Sequence, residues 1–172
     1  MRLFHYLCSA ATVAVTVAAL TWPGIARADD PAFVTGGAGG FDIHDNNTTG
    51  VAMAQYRSDK KFFYLKPFAG IDVNFDYGGM VYAGVLMDIY LGRRIVVTPT
   101  FAPGIYWQGD SKDLGYPVEF RSMLEVSYRF DNRSRLGVAF GHISNASLSK
   151  DNPGTELFLL TYSHPFPDLF GR

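Results

Sequence analysis

Residues 118–130 read VEFRSMLEVSYRF, and this stretch decides the fold. Apolar side chains occupy nearly every second position, beginning with Val118, and the positions between them include Glu119, Arg121 and Glu125. A period of two predicts a β-strand whose two faces differ in polarity. One face suits lipid, while charges of both signs on the other can pair inside a narrow lumen.

The first 28 residues have the features of a secretory signal. An apolar run over 7–20 follows a short basic start, and Ala26-Arg27-Ala28 is an A-x-A cleavage signature. The run is too short for a transmembrane helix, so we expect cleavage, with 29–172 as a single β-barrel domain. The one cysteine, Cys8, falls in the signal, which leaves the mature chain without disulfide or thiol chemistry.

The same alternation recurs along the mature chain and predicts eight strands. Aromatic residues make up 15% of the sequence and charged residues only 18%, and no later apolar run is long enough for a spanning helix. The pattern therefore predicts an all-β fold, an eight-stranded antiparallel transmembrane outer-membrane β-barrel. The soluble alternatives are a lipocalin-like barrel or a β-sandwich. The predicted strands cover 31–43, 49–57, 62–75, 78–90, 94–107, 117–130, 135–146 and 155–166.

Two features weaken the strand pattern. Pro99 and Pro103 cannot donate to a ladder, which counts against a regular closed barrel unless a bulge or local gap accommodates them. The first strand is the weakest assignment because glycines crowd residues 36–40. That run is no nucleotide loop, since neither a helix nor a closing Lys-Ser/Thr follows it.

Charge is low and balanced, with 15 basic and 16 acidic residues. No basic tract points to nucleic acid as a partner. Charged residues in the predicted strands fall opposite the apolar face, and we interpret them as ion pairs within the lumen. They are Asp72, Asp88, Glu119, Arg121, Glu125 and Arg129.

A histidine, a serine and a glutamate close together near the end of the chain are candidates for chemistry. His142 and Ser144 continue the outward apolar face of the seventh predicted strand, and Glu156 shares a face with Phe158 in the eighth. Symmetric pairing about a loop at 147–154 would set Ser144 opposite Glu156 and His142 opposite Phe158. Glu156 is then the diagonal neighbour of His142. These are the side-chain types of a hydrolase triad.

The direction of the strands places these residues in the membrane. A cleaved signal and an even strand count put both termini in the periplasm, so odd strands run outward. The end of the seventh strand then reaches the outer leaflet, on the outer wall of the barrel. A lipid ester is presented directly to such a position, whereas a soluble substrate is poorly served by it.

These residues resemble the outer-membrane lipid A 3-O-deacylases, the PagL family. The match is His-x-Ser-Asn-Ala from His142, followed by Gly-x-Glu ending at Glu156, with the family's spacing between them. Phe120 also matches a family phenylalanine. The confident part of the resemblance covers residues 120–156, together with chain length and the signal.

The resemblance implies a serine esterase that removes the 3-O-linked 3-hydroxyacyl chain of lipid A in lipopolysaccharide. Ser144 is then the nucleophile, His142 the general base and acid, and Glu156 the residue that orients His142. The oxyanion would be held by the backbone N–H groups of Asn145 and Ser147, where the family often has glycine in place of Ser147. No cofactor or metal is implied.

Other readings of the same residues stay open. The chain could be a small non-catalytic outer-membrane barrel, or an outer-membrane esterase acting on phospholipid. Phe120 and Phe140 are lipid-facing residues and candidates for substrate contact, and a homodimer is an open alternative for the assembly. His44 and His164 lie in no metal-ligand cluster and are interpreted as solvated or interfacial residues.

Overall fold

The computed structural model describes residues 30–44 and 48–166. The predicted signal and the residues beyond Phe166, which we expect to trail after the last strand, lie outside that part of the chain. The described residues form nine strands: β1 (Ala32–Phe41), β2 (Thr49–Arg57), β3 (Lys66–Asn74), β4 (Gly79–Leu86), β5 (Ile89–Leu91), β6 (Ile95–Trp107), β7 (Val118–Arg129), β8 (Arg135–Ser144) and β9 (Thr155–Phe166).

The strands close into an eight-stranded antiparallel barrel, as predicted. Sequential neighbours pair from β4 back to β1, β1 pairs with β9, and the order continues to β6, which pairs with β4. β4 and β5 are two parts of one strand, because both pair with β6 in a single register from Gly79↔Trp107 to Leu91↔Ile95. The fold is therefore the all-β barrel that the alternation indicates.

The third strand starts later than predicted. Phe62 and Leu65 exchange backbone hydrogen bonds of 2.9 and 3.1 Å across a tight turn. Phe63 has a φ of 57° in that turn, a conformation that no strand contains. The alternation therefore becomes a strand only from Lys66 onward.

The two prolines lie in β6 and interrupt only one of its ladders. Pairing with β4 and β5 lapses opposite Pro103 and again opposite Pro99, where Met87 and Asp88 separate β4 from β5. Pro99 still accepts a hydrogen bond of 3.1 Å from Met87 N. The ladder to β7 is unbroken, so local gaps accommodate the prolines, which is the alternative that the sequence left open, and the barrel closes.

The glycines of β1 allow the barrel to close. β1 pairs along its length with both β2 and β9. A Cβ on Gly39 would lie 1.8 Å from the carbonyl oxygen of Phe158 in β9. Only glycine permits so close an approach of two backbones, so the weakest strand assignment marks the closing seam.

Ion pairs fill much of the lumen. Arg57 binds Glu125 through two hydrogen bonds of 3.0 and 2.8 Å, and Arg121 binds Asp72 at 2.7 Å. The predicted pairing of lumen charges is thus confirmed, except at Glu119. That carboxylate is fully buried, and neither oxygen has a hydrogen-bond partner within the described residues. The remaining pairs are Arg135–Asp88, Lys66–Asp88, Arg135–Asp30 and Arg129–Asp30.

The outward face is apolar. Leu124, Phe140 and Leu160 are each about half exposed, whereas Arg121 and Glu125, on the other face of the strand that contains Leu124, are buried. Soluble barrels and sandwiches have the opposite arrangement, with charge outside, so the barrel is of the outer-membrane kind. No helix among the described residues is long and apolar enough to cross a membrane.

The connections fall at two ends of the barrel. The loops 42–48, 75–78, 108–117 and 145–154 follow β1, β3, β6 and β8 and gather at one end. The turns 58–65, 92–94 and 130–134 lie at the other. The candidate triad lies at the end with the four loops.

Candidate active site

The end of β8 presents two of the predicted residues on the outer wall. Along this strand the residues from Leu136 to His142 alternate between exposed and buried, with Leu136, Phe140 and His142 on the exposed face. The strand ends at Ser144, two residues earlier than predicted. Ala146 and Ser147 follow with φ of 51° and 65°, and such left-handed residues cannot continue a strand.

His142 and Glu156 are direct cross-strand partners. β8 pairs with β9 in the register His142↔Glu156 and Phe140↔Phe158. The predicted register, with Ser144 opposite Glu156, was therefore wrong by two residues. The shared outer face was right, because a shift of two residues preserves it. The longer loop that results from the early end of β8 accounts for the shift.

The direct pairing forms the hydrogen bond that a triad needs. His142 Nδ1 lies 3.2 Å from Glu156 Oε1. An ionised carboxylate only accepts hydrogen bonds, so this contact assigns the proton to Nδ1 and leaves Nε2 with a free lone pair. The His142 and Glu156 side chains are 48% and 28% exposed, so a substrate can reach them from the lipid side.

Gly154 lies against the imidazole of His142. A Cβ at this glycine would be 2.8 Å from Cε1 and 3.2 Å from Nε2 of His142. Its φ of 61° is also in the region that favours glycine. Gly154 therefore leaves room for the ring and restricts where the ring can lie, two residues before Glu156.

The structure brings Ser144 to the same face but not into a hydrogen bond with His142. Within the described residues, the side-chain hydrogen bond of His142 is the one to Glu156. In the pairing of β8 with β7, Ser144 lies opposite Phe120. His142 lies opposite Ser122, which carries a second hydroxyl group. Hydrogen bonds of catalytic groups often tighten only when substrate is bound, so this geometry is compatible with Ser144 as nucleophile.

The two backbone N–H groups that are predicted to bind an oxyanion already donate hydrogen bonds to other acceptors. Asn145 N donates to Asn152 Oδ1 at 3.0 Å, and Ser147 N donates to Asn145 Oδ1 at 3.0 Å. The Asn145 side chain is fully buried and donates to the carbonyl oxygens of Leu114 and Asp151 at 3.0 and 2.8 Å. Asn145 thereby ties the loop 108–117 and the far side of its own loop to the end of β8.

An apolar surface lies beside the triad on the outer wall. The Phe120 and Phe101 rings stack with centroids 5.9 Å apart and an interplanar angle of 12°. Phe140 pairs with Phe158 on the other side of the strand. Of these, Phe101 is the residue that sequence reasoning did not connect with the site, because only the register of β6 against β7 brings it beside Phe120.

His44 lies beside the site, a contact that sequence reasoning did not foresee. Its side chain is exposed, in line with the interpretation as a solvated residue, but its Nδ1 also lies 3.6 Å from Oε2 of Glu156. The carboxylate therefore has a histidine at each oxygen. His164, by contrast, is exposed at the far end of β9, with its ring 6.4 Å from that of Tyr162. No group of three or more potential metal ligands occurs among the described residues.

Comparison with known proteins identifies the family. Residues 36–165 match the family model described as lipid A 3-O-deacylase (PagL). The chain belongs to this family. The match extends from β1 into β9, well beyond the region that carries the sequence motif.

Two PagL proteins illustrate the relationship. Lipid A deacylase PagL of Bordetella bronchiseptica is 29% identical over 55 residues, which are 32% of this chain and 31% of the relative. The matched stretch thus spans about a third of that curated relative. A crystal structure of the outer membrane enzyme PagL matches with a TM-score of 0.62 and 19% identity, over 78% of this chain and 99% of that one. At that identity the likeness supports the fold.

Proposed function

We propose that this protein is an outer-membrane serine esterase that removes the 3-O-linked 3-hydroxyacyl chain of lipid A. Ser144 is the nucleophile, His142 the general base and acid, and Glu156 the orienting carboxylate. The observation that carries the proposal is the 3.2 Å contact between His142 Nδ1 and Glu156 Oε1 on the lipid-facing wall. Ser144 lies two residues further along the same face, in a chain of the lipid A 3-O-deacylase family.

The first half of the reaction transfers the acyl group to the enzyme. His142 Nε2 takes the proton of Ser144 Oγ, which then attacks the ester carbonyl carbon at the 3-position. Glu156 holds the ring in the tautomer that accepts this proton and stabilises the imidazolium that forms. The bond between that carbon and the sugar oxygen breaks, and His142 returns its proton to the sugar oxygen.

The second half releases the fatty acid. Water, deprotonated by His142, attacks the acyl-enzyme and yields a free 3-hydroxy fatty acid and Ser144. Both tetrahedral intermediates need hydrogen-bond donors at the developing oxyanion. Asn145 N–H is suited to this, because it already donates to the side-chain oxygen Oδ1 of exposed Asn152 at 3.0 Å. The substrate oxygen replaces that acceptor.

The position of the site favours a lipid substrate. With the four loops facing outward, the triad lies at the headgroup level of the outer leaflet. Phe120, opposite Ser144, and Phe140, two positions before His142, lie on the apolar wall beneath it. Acyl chains already in the membrane reach the serine along this surface without leaving the lipid.

Mass spectrometry of lipid A from cells that express the protein tests the proposal. Wild type should remove one 3-hydroxyacyl chain, Ser144→Ala should remove none, and both should insert as folded barrels. Ser122→Ala is the matched control, because Ser122 is the other hydroxyl beside His142 and should leave activity intact. Unchanged lipid A with inserted wild type contradicts the proposal, and loss of acyl chains from phospholipid alone would assign a different acyl donor.

A further inference from the structure

The second oxygen of the Glu156 carboxylate has a partner of its own. His44, in the loop between β1 and β2, places Nδ1 3.6 Å from Oε2, while Oε1 contacts His142. We propose that His44 is a positioning residue that holds the Glu156 carboxylate in the orientation in which it serves His142. This inference rests on the proposed function and adds to it a fourth residue from a distant part of the chain.

His44 is held near Glu156 by the hydrogen bonds of Asp42, two residues before it in the chain. Asp42 N donates to the carbonyl oxygen of Glu156 itself at 2.9 Å. Asp42 Oδ1 accepts from Thr155 Oγ1 at 3.1 Å and from Lys112 Nζ at 2.8 Å. Asp42 thus attaches the loop to the first two residues of β9, through the side chain of Thr155 and the backbone carbonyl of Glu156.

The loop leaves this anchor in a defined direction. Asp42 is 1% exposed and has a φ of 58°, so the chain turns sharply after β1. Its carbonyl oxygen accepts from Thr48 Oγ1 at 2.9 Å, which ties the far end of the loop back to its start. His44 therefore reaches Glu156 from a segment fixed by hydrogen bonds, although its own side chain is 69% exposed.

A second partner changes what Glu156 can do. A carboxylate that contacts only one group can rotate about its terminal torsion and exchange its oxygens. Contact at Oε2 opposes this rotation and keeps Oε1 directed at His142 Nδ1. The His44 contact is longer than a hydrogen bond. It shortens with a small movement of either side chain, as catalytic contacts do when substrate binds.

Replacement of His44 by two different side chains tests the role. His44→Leu should lower kcat on lipid A in mixed micelles about tenfold while KM changes less than about twofold, because the reacting groups lose orientation and the substrate keeps its contacts. His44→Asn, whose amide N–H can occupy the place of Nδ1–H, should restore most of kcat. His164→Leu is the control for loss of an exposed histidine and should match wild type.

A double-mutant cycle separates this inference from the proposed triad. In a Glu156→Gln background His44→Leu should cause no further loss, since its partner carboxylate is already gone. A full additional loss there overturns the inference. So does wild-type kcat in His44→Leu, a change in KM alone, or failure of His44→Asn to rescue. Wild-type activity of Glu156→Gln would instead overturn the triad.

Discussion

Two side-chain pairs, Arg121–Asp72 in the lumen and His142–Glu156 on the outer wall, differ in how far they are open to their surroundings. Arg121 and Asp72 meet inside the lumen at 2.7 Å, with side chains 0% and 4% exposed. His142 and Glu156 meet on the outer wall at 3.2 Å, with side chains 48% and 28% exposed. The lumen pair is buried, whereas the wall pair is partly exposed on the outer wall.

The two pairs differ because they lie on opposite faces of their strands and because the carboxylate contacts an arginine in one pair and a histidine in the other. Arginine in the lumen remains charged and satisfies a carboxylate with several donors at once. Histidine on the wall can exchange a proton at one nitrogen while the other is held. Residues of the first kind are expected to affect folding when changed, and residues of the second kind to affect turnover.

The largest expected effect comes from breaking a lumen pair. Arg57→Met leaves Glu125 buried without its two hydrogen bonds, and should lower the free energy of unfolding by about 3–5 kcal/mol. Urea unfolding in detergent measures it. Activity per folded molecule should stay at the wild-type level.

Arg94→Met is the control for this change. Arg94 pairs with Asp131 in the turns, where the side chains are 41% and 88% exposed. Loss of that exposed pair should cost less than about 1 kcal/mol. Equal effects of the two substitutions would mean that the lumen hydrates its charges as well as bulk water does, and would remove the basis of the comparison.

A smaller effect is expected from crowding the wall pair. Gly154→Ala places a methyl group 2.8 Å from Cε1 of His142, which displaces the ring from Ser144. We expect kcat to fall about 10- to 100-fold, because misplacement of a catalytic group by about 1 Å has that consequence. Steady-state kinetics on lipid A is the measurement.

Gly92→Ala is the control for Gly154→Ala, because both glycines have a positive φ. Gly92 has a φ of 72° and nothing within 4 Å of the position of a Cβ. Both alanines carry the penalty of about 1–2 kcal/mol for a left-handed conformation, so stability should fall alike in the two variants. A similar loss of activity in Gly92→Ala would attribute the effect to strain and not to His142.

The smallest effect is expected at Ser147, where the resemblance to the family predicts glycine. Its φ of 65° is a conformation that glycine adopts without strain. Ser147→Gly should stabilise the barrel by up to about 1 kcal/mol and leave kcat within about twofold, because the N–H that reaches Asn145 Oδ1 is retained. Thermal unfolding and kinetics measure the two quantities. A marked fall in kcat would show that the serine hydroxyl takes part in the reaction.

Much of the fold could be predicted because the alternation of apolar and polar residues shows which side chains share a face of a strand. The lumen side of β7 and the outer side of β8 were correct residue by residue. The start of β3 and the end of β8 were not, because positive φ at Phe63 and at Ala146 depends on turns that alternation does not describe. Glu119 was assigned a partner because it alternates with the other charges, but neither of its oxygens has a hydrogen-bond partner among the residues that the structure describes.

The sequence by itself determined which residues share the outer wall and that a serine, a histidine and a glutamate are among them. Side chains repeat every two residues, so a face can be read from the order of residue types alone. Because of the same period, two strand registers that differ by two residues place the same residues on the outer wall, so the alternation does not distinguish them. Only the tertiary structure decided that His142 lies directly opposite Glu156, and that β1 carries His44 to the other oxygen of the carboxylate. Both contacts depend on loop geometry and barrel closure, which join parts of the chain that no local pattern relates.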